Sequence, residues 1–550
     1  MDLSPRLRAV CDLDVAEMRE YGGRHEYDGK PQDLSPEGVR AGLARLAAAR
    51  AGSERLADPY DEAQLAAAED LKSVAFGGLE LHRLNPIVHL VGLDLACYEK
   101  EYAPAEDRAA ARAEHLAAWP RVADAAVDSL DMMSSPVAQA LLDATRGLAA
   151  GLSAGPGGDG EVGGDVDEAV REAALAAHAR LVAHMERAAA EGDPDAALGS
   201  AGLAALMSSA EALPVDVGRL AEQADGERDR LHALLADGCA RVAPDRPPLD
   251  VARELVREHP DAAGVMDAAR LWTQRAIDFT RDHDLVPYHD GVCLVGPAPA
   301  SRRWAMAMMS PTAPGEPEGP SWFHITPPDE SWPKRQQQEW LEVFSDTTLP
   351  GIAVHEVAPG HFSHGRALRQ LTSDVRSILQ SSAFVEGWAH YAEELCVEEG
   401  FGADDPRIAI GIWLEALVRV TRLACAIGVH TAGMTVAEAA RRFEADTHLS
   451  GPAALSEARR ATFDPTYGRY TWGKLEILKL RERARKDWGP GFTLQRFHKA
   501  LMDLGSHALG LLGTAIEGGS GGMGSSQGGS GRMGPPSTSR GGFQGVVPPG

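Results

Sequence analysis

Cysteine is scarce in this sequence, because only six occur in 550 residues and no two stand in a CxxC or CxH spacing. They are Cys11, Cys97, Cys239, Cys293, Cys396 and Cys425. Close spacings mark thiolate metal sites, and a high density of cysteines marks small disulfide-stapled domains. The pattern argues against both classes and favours buried or free thiols.

Basic residues are also in deficit. Lys and Arg number 54 against 80 Asp and Glu, which gives a formal net charge of -26 and a pI near 5.2. Binding to a phosphate backbone or an anionic membrane needs clustered positive charge. We therefore expect neither nucleic acid nor a membrane as a partner. The acidic surface is explained by solubility, although it could also steer a cationic substrate.

Long apolar runs are missing as well. No stretch approaches the roughly 20 apolar residues of a membrane span, and no basic start is followed by an uninterrupted apolar segment. This pattern predicts a cytoplasmic protein. A chain of 550 residues can still bury a large core or form two lobes around a cleft, so its size permits an enzyme.

Helical periodicity dominates what is present. Ala, Leu, Glu and Arg fill residues 35–285, with apolar positions recurring at three and four. Ser35 followed by Pro36 predicts a helix start, with serine as N-cap and proline at the first helical position. The glycine-rich run 155–164 is interpreted as a surface loop because similar helices flank it.

Composition changes after about residue 290. Short β-prone runs predict a small sheet and lie at 292–295, 304–309 and 322–325. Helical periodicity then returns and persists to Leu512. The predicted organisation is an N-terminal helical lobe (1–285), a metal-binding catalytic lobe (286–515) and a disordered Gly/Ser/Pro tail (516–550). The fold class is therefore mainly α, two-lobed, with a small β-sheet beside the metal helix.

One segment carries the spacing of a metal site, with His355 and Glu356 together and His361 six positions after the first histidine. In ordinary zincins the two histidines are four apart on one helix, so both rings reach one ion. Six positions on a regular helix give roughly 240° of rotation and about 9 Å of rise. A regular helix would therefore point the two rings to different faces.

Pro359 and Gly360 offer a remedy, because proline cannot donate to the His355 carbonyl and glycine adopts backbone angles closed to other residues. A helix break there could bring His361 back beside His355, with Glu356 on the flank. The alternative is a polar helix start whose histidines are satisfied by other partners.

A second helix is predicted over residues 384–395, and its polar residues recur on one face. They are Glu386, His390, Glu393 and Glu394. Two histidines and one glutamate would leave a fourth position for water, which fits zinc, and Gly387 would let the two helices approach closely. Alternatively, Glu393 and Glu394 form a solvated acidic stripe. His390 could support a ligand, contact substrate or replace a ligand.

The segments HEVAPGH and VEGWAHYAEE resemble the paired motifs H-E-x-x-P-G-H and E-G-W-A-x-Y-x-E of the domain of unknown function 885 family. That family is grouped with gluzincin-type metallopeptidases. The resemblance runs from about Trp322 through residues 428–439 and 457–460 to residues 470–473, and ends near His498. The N-terminal half is similar in length and helical character only.

The resemblance implies a zincin-like metallopeptidase fold in which His355, His361 and Glu386 hold Zn²⁺ and Glu356 is the general base. It also points to Arg460 and Tyr470 as groups facing the cleft. We infer that the phenol stabilises an oxyanion and that the guanidinium holds a substrate carboxylate. The alternatives are a core aromatic and a helix-end ion pair.

Three histidines complete the candidate substrate-binding set with Arg460; they are His324, His390 and His430. His324 belongs to the run 322–325, which we predict as an edge strand that pairs with an extended substrate. A simple packed strand is the alternative. The chain departs from the family at Phe362, where a histidine is common, and at Ala426, where a carboxylate is expected.

The predicted function is a zinc-dependent metallohydrolase that cleaves an amide bond in a short peptide by Glu356-assisted attack of a zinc-bound water. One alternative is a zinc hydrolase of a non-peptide amide or amino-acid conjugate in small-molecule metabolism. Another is a metal-free binding protein on the same fold.

Overall fold

The computed structural model describes residues 3–149, 152, 167–299, 302–303 and 305–517. The predicted surface loop at 155–164 and the predicted tail from residue 518 onward lie outside the described residues. Trp304, the first residue of one predicted β-run, also lies outside them.

The chain is mainly helical, as predicted. The helices of its first half are α1 (Pro5–Cys11), α2 (Val15–Glu20), α3 (Pro36–Ala51), α4 (Pro59–Lys72), α5 (Leu81–Leu84), α6 (Ile87–Leu90), α7 (Ala105–Ser129), α8 (Ser135–Gly147), α9 (Glu168–Glu191), α10 (Gly199–Glu211), α11 (Val217–Val242), α12 (Pro248–Leu255) and α13 (Gly264–Asp282). A π-helical segment, Ser73–Gly78, follows α4.

The second half contains α14 (Lys334–Leu341), α15 (Leu349–Glu356), α16 (His361–Leu368), α17 (Asp374–Ile378), α18 (Ser382–Glu398), α19 (Pro406–Ala432), α20 (Val436–Asp446), α21 (Gly451–Phe463), α22 (Arg469–Trp488), α23 (Leu494–Met502) and α24 (Thr514–Glu517). Short 3-10 turns lie at His25–Tyr27, Val91–Leu93, Ala96–Glu99, Glu342–Phe344, Gly489–Gly491 and Leu509–Leu511.

Local sequence signals fix several helix starts. The Ser35 hydroxyl accepts a hydrogen bond from the Gly38 amide at 3.0 Å, and Pro36 opens α3, which confirms the predicted cap. At the start of α20, the Thr435 and Glu438 side chains cap each other's backbone amides. Such caps satisfy amides that have no partner inside the helix.

The predicted small sheet is confirmed, with strands β1 (Cys293–Pro297), β2 (Ala307–Ser310) and β3 (Ser321–Ile325) in the order β1-β3-β2. β3 pairs with β1 in parallel and with β2 in antiparallel register. The prediction that residues 322–325 form an edge strand is wrong, because both edges of β3 are already paired. An extended substrate cannot add to β3.

One hydrophobic core runs through the part of the chain that holds the candidate site. It includes side chains from Leu203 to Ile516, and it joins α10–α13 to the sheet and to the helices that follow. The predicted lobe boundary at residue 285 passes through this core. Separate clusters lie within residues 90–185 and near the N-terminus, where residues 375–379 also contribute.

A buried network of charges ties together α11, α18 and α22. The Lys474 ammonium lies 3.0 Å from Glu227 and 2.5 Å from Glu394, and Arg230 pairs with both carboxylates at 2.7 and 2.8 Å. Burial alone would lower the pKa of Lys474, but the two carboxylates outweigh it and raise that pKa. The lysine is therefore charged inside the core.

Among the described residues, no helix combines the length and the apolar character that crossing a membrane requires.

Candidate metal centre

The helix that starts at Leu349 ends at Glu356, and a wide turn separates it from α16. The Gly360 amide donates to the Val354 carbonyl at 3.2 Å, and the same six-residue hydrogen bond recurs three residues later at 3.1 Å. Hydrogen bonds four residues apart give 3.6 residues per turn, so bonds six residues apart widen the turn to roughly five to six residues. His355 and His361 are six apart, so this turn returns them to the same side.

Two contacts hold the turn. A Cβ atom on residue 360 would lie only 1.9 Å from the His355 carbonyl oxygen, so glycine alone fits there. The Trp388 indole donates to the Pro359 carbonyl at 2.9 Å from the neighbouring helix α18. The helix break predicted at Pro359 and Gly360 is therefore present.

The three predicted ligands lie together. The turn places His355 beside His361, Glu386 reaches them from α18, and atoms of all three lie within 4.8 Å of one another. The Glu386 Oε2 atom lies 3.5 Å from His355 Nε2 and 3.4 Å from His361 Nε2. Ligand atoms about 2.0–2.1 Å from a tetrahedral zinc ion are separated by about 3.3–3.4 Å. The two distances from Glu386 are close to that edge length and all three ligand atoms lie within 4.8 Å of one another, so the donor set is compatible with zinc. Their role as ligands stays a prediction.

Glycine also decides how closely the helix carrying Glu386 approaches α22. A Cβ atom on Gly387 would lie 2.5 Å from the Gly473 Cα atom, and one on Gly473 would lie 1.9 Å from the Ala383 carbonyl. The two backbones therefore touch at this crossing. Gly387 was predicted to let α18 approach the first metal helix, but the close approach at this glycine is made with α22, the helix that carries Tyr470.

Behind the candidate ligands lies a buried carboxylate. Glu393 is 1 % exposed; its Oε1 atom accepts from His355 Nδ1 at 2.6 Å, and its Oε2 atom accepts from Arg419 at 3.0 Å. Burial would raise the pKa of Glu393, but Arg419 and the hydrogen bonds from His355 and His390 outweigh it and hold that pKa well below its usual range. A charged carboxylate at Nδ1 leaves Nε2 of His355 free for a metal.

Glu386 and Glu393 control whether His355 is protonated in the metal-free protein. Burial and the nearby Arg419 cation oppose protonation, whereas Glu386 and Glu393 favour it and raise the pKa of His355 to about 9. A metal ion must displace this proton, so binding should release a proton at neutral pH.

We predict that Glu393→Gln weakens zinc affinity by about 10–100-fold, because the amide no longer supplies a charge behind His355. Competition with a chromogenic chelator measures this change. Glu399→Gln, an exposed substitution on the residue that follows the same helix, is the matched control and should leave affinity unchanged. Equal affinities for the two variants would show that Glu393 does not support a ligand.

The candidate base, Glu356, stands at the last position of α15. Its side chain is 8 % exposed, and Oε2 has no hydrogen-bond partner among the described residues. Glu356 is not a member of the three-residue ligand cluster. A buried carboxylate oxygen is costly without a hydrogen-bond donor, so Oε2 is placed to accept a hydrogen bond from water or substrate.

Tyr470 lies against the cluster, with its ring centroid 6.3 Å from that of His355. Burial and the Glu386 carboxylate raise the pKa of the phenol, and the nearby arginines offset this only in part. The phenol therefore keeps its proton at neutral pH and can donate a hydrogen bond. Ala426 packs with this tyrosine in a small buried cluster.

Arg460 is connected to Tyr470 through the ring of Tyr467. Its guanidinium stacks over Tyr467 at 4.3 Å from the ring centroid, and its ion pair with Asp464 is long, at 3.3 Å. The ring of Tyr467 lies 6.5 Å from that of Tyr470. Both alternatives, a core aromatic at Tyr470 and a helix-end ion pair at Arg460, are present here.

Two of the predicted substrate-binding histidines are engaged elsewhere. The two ring nitrogens of His430 lie 2.9 Å from the Ala461 carbonyl and 3.4 Å from the Leu198 amide, about 16 Å along α19 from Arg419. The structure does not bring His430 to the metal centre. His324 stacks on Trp322, and no described contact joins it to that centre.

His390 lies behind the site, not in the cleft, because it is 1 % exposed and hydrogen-bonds to Glu393 at 3.3 Å. Burial lowers its pKa to about 4, so the ring is neutral. Its position favours support of a ligand over contact with substrate. Glu393 and Glu394 are buried as well, so the interpretation as a solvated acidic stripe is wrong.

Sequence reasoning did not place the N-terminal segment near this site. Burial raises the pKa of Tyr21, and Glu386 is among the carboxylates that raise it further. Burial also raises the pKa of Glu17 to about 7, and Arg469 opposes that rise. These electrostatic effects place residues 17–21 near Glu386 and Arg469. No motif in residues 1–30 predicts this proximity, because the groups are distant in the chain.

The fold and these side chains define a mainly helical protein with a partly buried His-His-Glu cluster and an adjacent glutamate. The chain belongs to the bacterial family of unknown function DUF885, whose sequence profile matches residues 17–516. This confirms the family predicted from the motifs and extends the match through the N-terminal half.

Two solved structures are similar in fold. A candidate lipoprotein of unknown function from Shewanella oneidensis is 19 % identical, with a TM-score of 0.73 over 93 % of this chain and 98 % of its own. A candidate lipoprotein from Colwellia psychrerythraea is 15 % identical, with a TM-score of 0.76 over 94 % and 98 %. No curated protein matches the chain. Those names do not favour the predicted cytoplasmic location, which stays a prediction.

Proposed function

We propose that this protein is a zincin-like metallohydrolase of the gluzincin type that cleaves an amide bond in a short peptide. The observation that carries the proposal is the cluster of His355, His361 and Glu386 beside a buried, unpartnered Glu356 oxygen. Two neutral nitrogen ligands and one carboxylate leave a position open for a reactant, as catalytic zinc sites do.

Each residue has a distinct part in the reaction. Zinc held by the cluster would acidify a water molecule and polarise the substrate carbonyl. Glu356 takes the proton of the attacking water and returns it to the leaving nitrogen. Tyr470 donates a hydrogen bond to the oxygen on which negative charge develops.

Limited exposure of the site supports a small substrate. The side chains of His355, His361 and Glu386 are 6 %, 15 % and 23 % exposed. A site that is buried to this extent fits a short peptide or a small amide better than a folded protein.

Metal analysis tests the proposal directly. We expect one zinc ion per chain in the purified protein and less than a tenth of that in His355→Ala, with hydrolysis of a short-peptide library lost in parallel. Zinc without peptide turnover would favour the non-peptide amide alternative. Absence of stoichiometric zinc would favour a metal-free binding protein instead.

A further inference from the structure

Four arginines stack on Tyr467 or Tyr470; they are Arg419, Arg422, Arg460 and Arg469. Three of them hold short ion pairs: Arg419 with Glu393 at 3.0 Å, Arg422 with Glu457 at 2.7 Å, and Arg469 with Asp464 at 2.7 Å. These three guanidiniums are neutralised within the fold.

Arg460 differs from the others. Its Nε and Nη2 atoms both lie 3.3 Å from one oxygen of Asp464, and Arg469 already holds that same oxygen at 2.9 Å. No described residue accepts a hydrogen bond from its Nη1 atom. The side chain is 29 % exposed, against 15 % for Arg422 and Arg469. Arg460 therefore combines the longest ion pair of the four arginines with the most exposed side chain.

The guanidinium is nonetheless held in place. It stacks on Tyr467, whose hydroxyl donates to Glu457 at 2.5 Å, and Tyr467 in turn contacts Tyr470. Two aromatic rings thus separate Arg460 from His355. The Arg460 guanidinium is held rigidly and reaches solvent. It therefore suits a carboxylate, because guanidinium and carboxylate form paired parallel hydrogen bonds.

We propose that Arg460 binds the free α-carboxylate of the amino acid whose nitrogen is released, so that the protein removes a C-terminal amino acid from a small acylated substrate. This inference rests on the proposed function. Hydrolysis adds one water across the C–N bond: the carbonyl carbon gains the hydroxyl, and the nitrogen gains a proton. The products are a carboxylic acid and a free amino acid.

The shared chemistry is an N-acylated amino acid with a free carboxylate, which either a dipeptide or a non-peptide conjugate provides. The acidic surface of the protein, with a net charge of -26, would otherwise repel such an anion. The Arg460 guanidinium, which is connected to Tyr470 through the ring of Tyr467, supplies both attraction and register.

The test compares four substrates on the zinc-loaded full chain: a neutral dipeptide, its C-terminal amide, the N-acetyl form of the same amino acid, and the amide of that form. We expect kcat/KM for the free acids to exceed that for the amides by on the order of 100-fold. Faster cleavage of the dipeptide or of the N-acetyl compound identifies the source of the acyl group.

Arg460→Met should lower kcat/KM for the acids to the level of the amides. Arg460→Lys keeps the cation but not the fork and should retain part of the preference, so it serves if the methionine variant fails to fold. Arg459→Met, on the adjacent exposed arginine, is the matched control and should keep the full preference.

Equal cleavage of acids and amides by the wild type, or an undiminished preference in Arg460→Met, would overturn this inference while the hydrolase stands. Cleavage of none of the four by zinc-loaded protein that also leaves a peptide library intact would overturn the proposed function and this inference with it.

Discussion

Glu356→Gln is expected to lower kcat by roughly 10²–10⁴-fold while the protein keeps its zinc, because the amide cannot accept the proton of the attacking water. Glutamine has nearly the same shape, and the Glu356 side chain lies outside the ligand cluster, so binding of the metal should persist. Metal content and turnover of the best substrate, measured on the same preparation, check both halves of this expectation.

Two results would contradict the role of Glu356 as the base. Full activity in Glu356→Gln would show that another group moves the proton. Loss of zinc would show that Glu356 is a ligand instead. The exposed Glu399→Gln change supplies the control, because it alters the same functional group on the outside of the protein and should affect neither quantity.

Lys474→Met is expected to destabilise the fold by about 3–5 kcal/mol, since it leaves Glu227 and Glu394 buried with only the half-exposed Arg230 to balance them. The raised pKa of Lys474 means that its charge stabilises the native state throughout the neutral range. Denaturant unfolding of the metal-free protein measures the loss.

Lys479→Met is the matched control, because this lysine lies on the same helix, is 52 % exposed, and pairs only with Glu476 at 2.7 Å. We expect a change within about 0.5 kcal/mol there. If Lys474→Met proved equally mild, the methionine would have to pack as well as the ion pairs do. The network would then contribute little to stability, as some buried ion pairs do.

Local signals in the sequence predicted that the three candidate ligands lie together. The spacing of His355 and His361 required a helix break, and Pro359 with Gly360 supplied it, because each of these residues acts on the backbone within one or two turns. Glu386 was found because it stands among aromatic and apolar neighbours. The same local logic placed the cap at Ser35 and the three short strands.

Residues whose surroundings come from elsewhere in the chain were misread or missed. Glu393 looked like part of a solvated stripe, but it is buried because Arg419 on another helix neutralises it. The run 322–325 is predicted as an edge strand, but β3 pairs with β1 on one edge and with β2 on the other and is therefore central. His430 is predicted as a site residue, but its ring nitrogens contact the backbone of Leu198 and Ala461 instead.

The sequence by itself determined the helical class, the family, the break in the first metal helix and the candidate ligands, because these depend on spacing and backbone chemistry over a few residues. Tertiary structure alone decided which charges are buried, which strand is central, and that the N-terminal segment lies near Glu386. Those features arise when groups distant in the chain remove one another from water, and no local pattern records such partners.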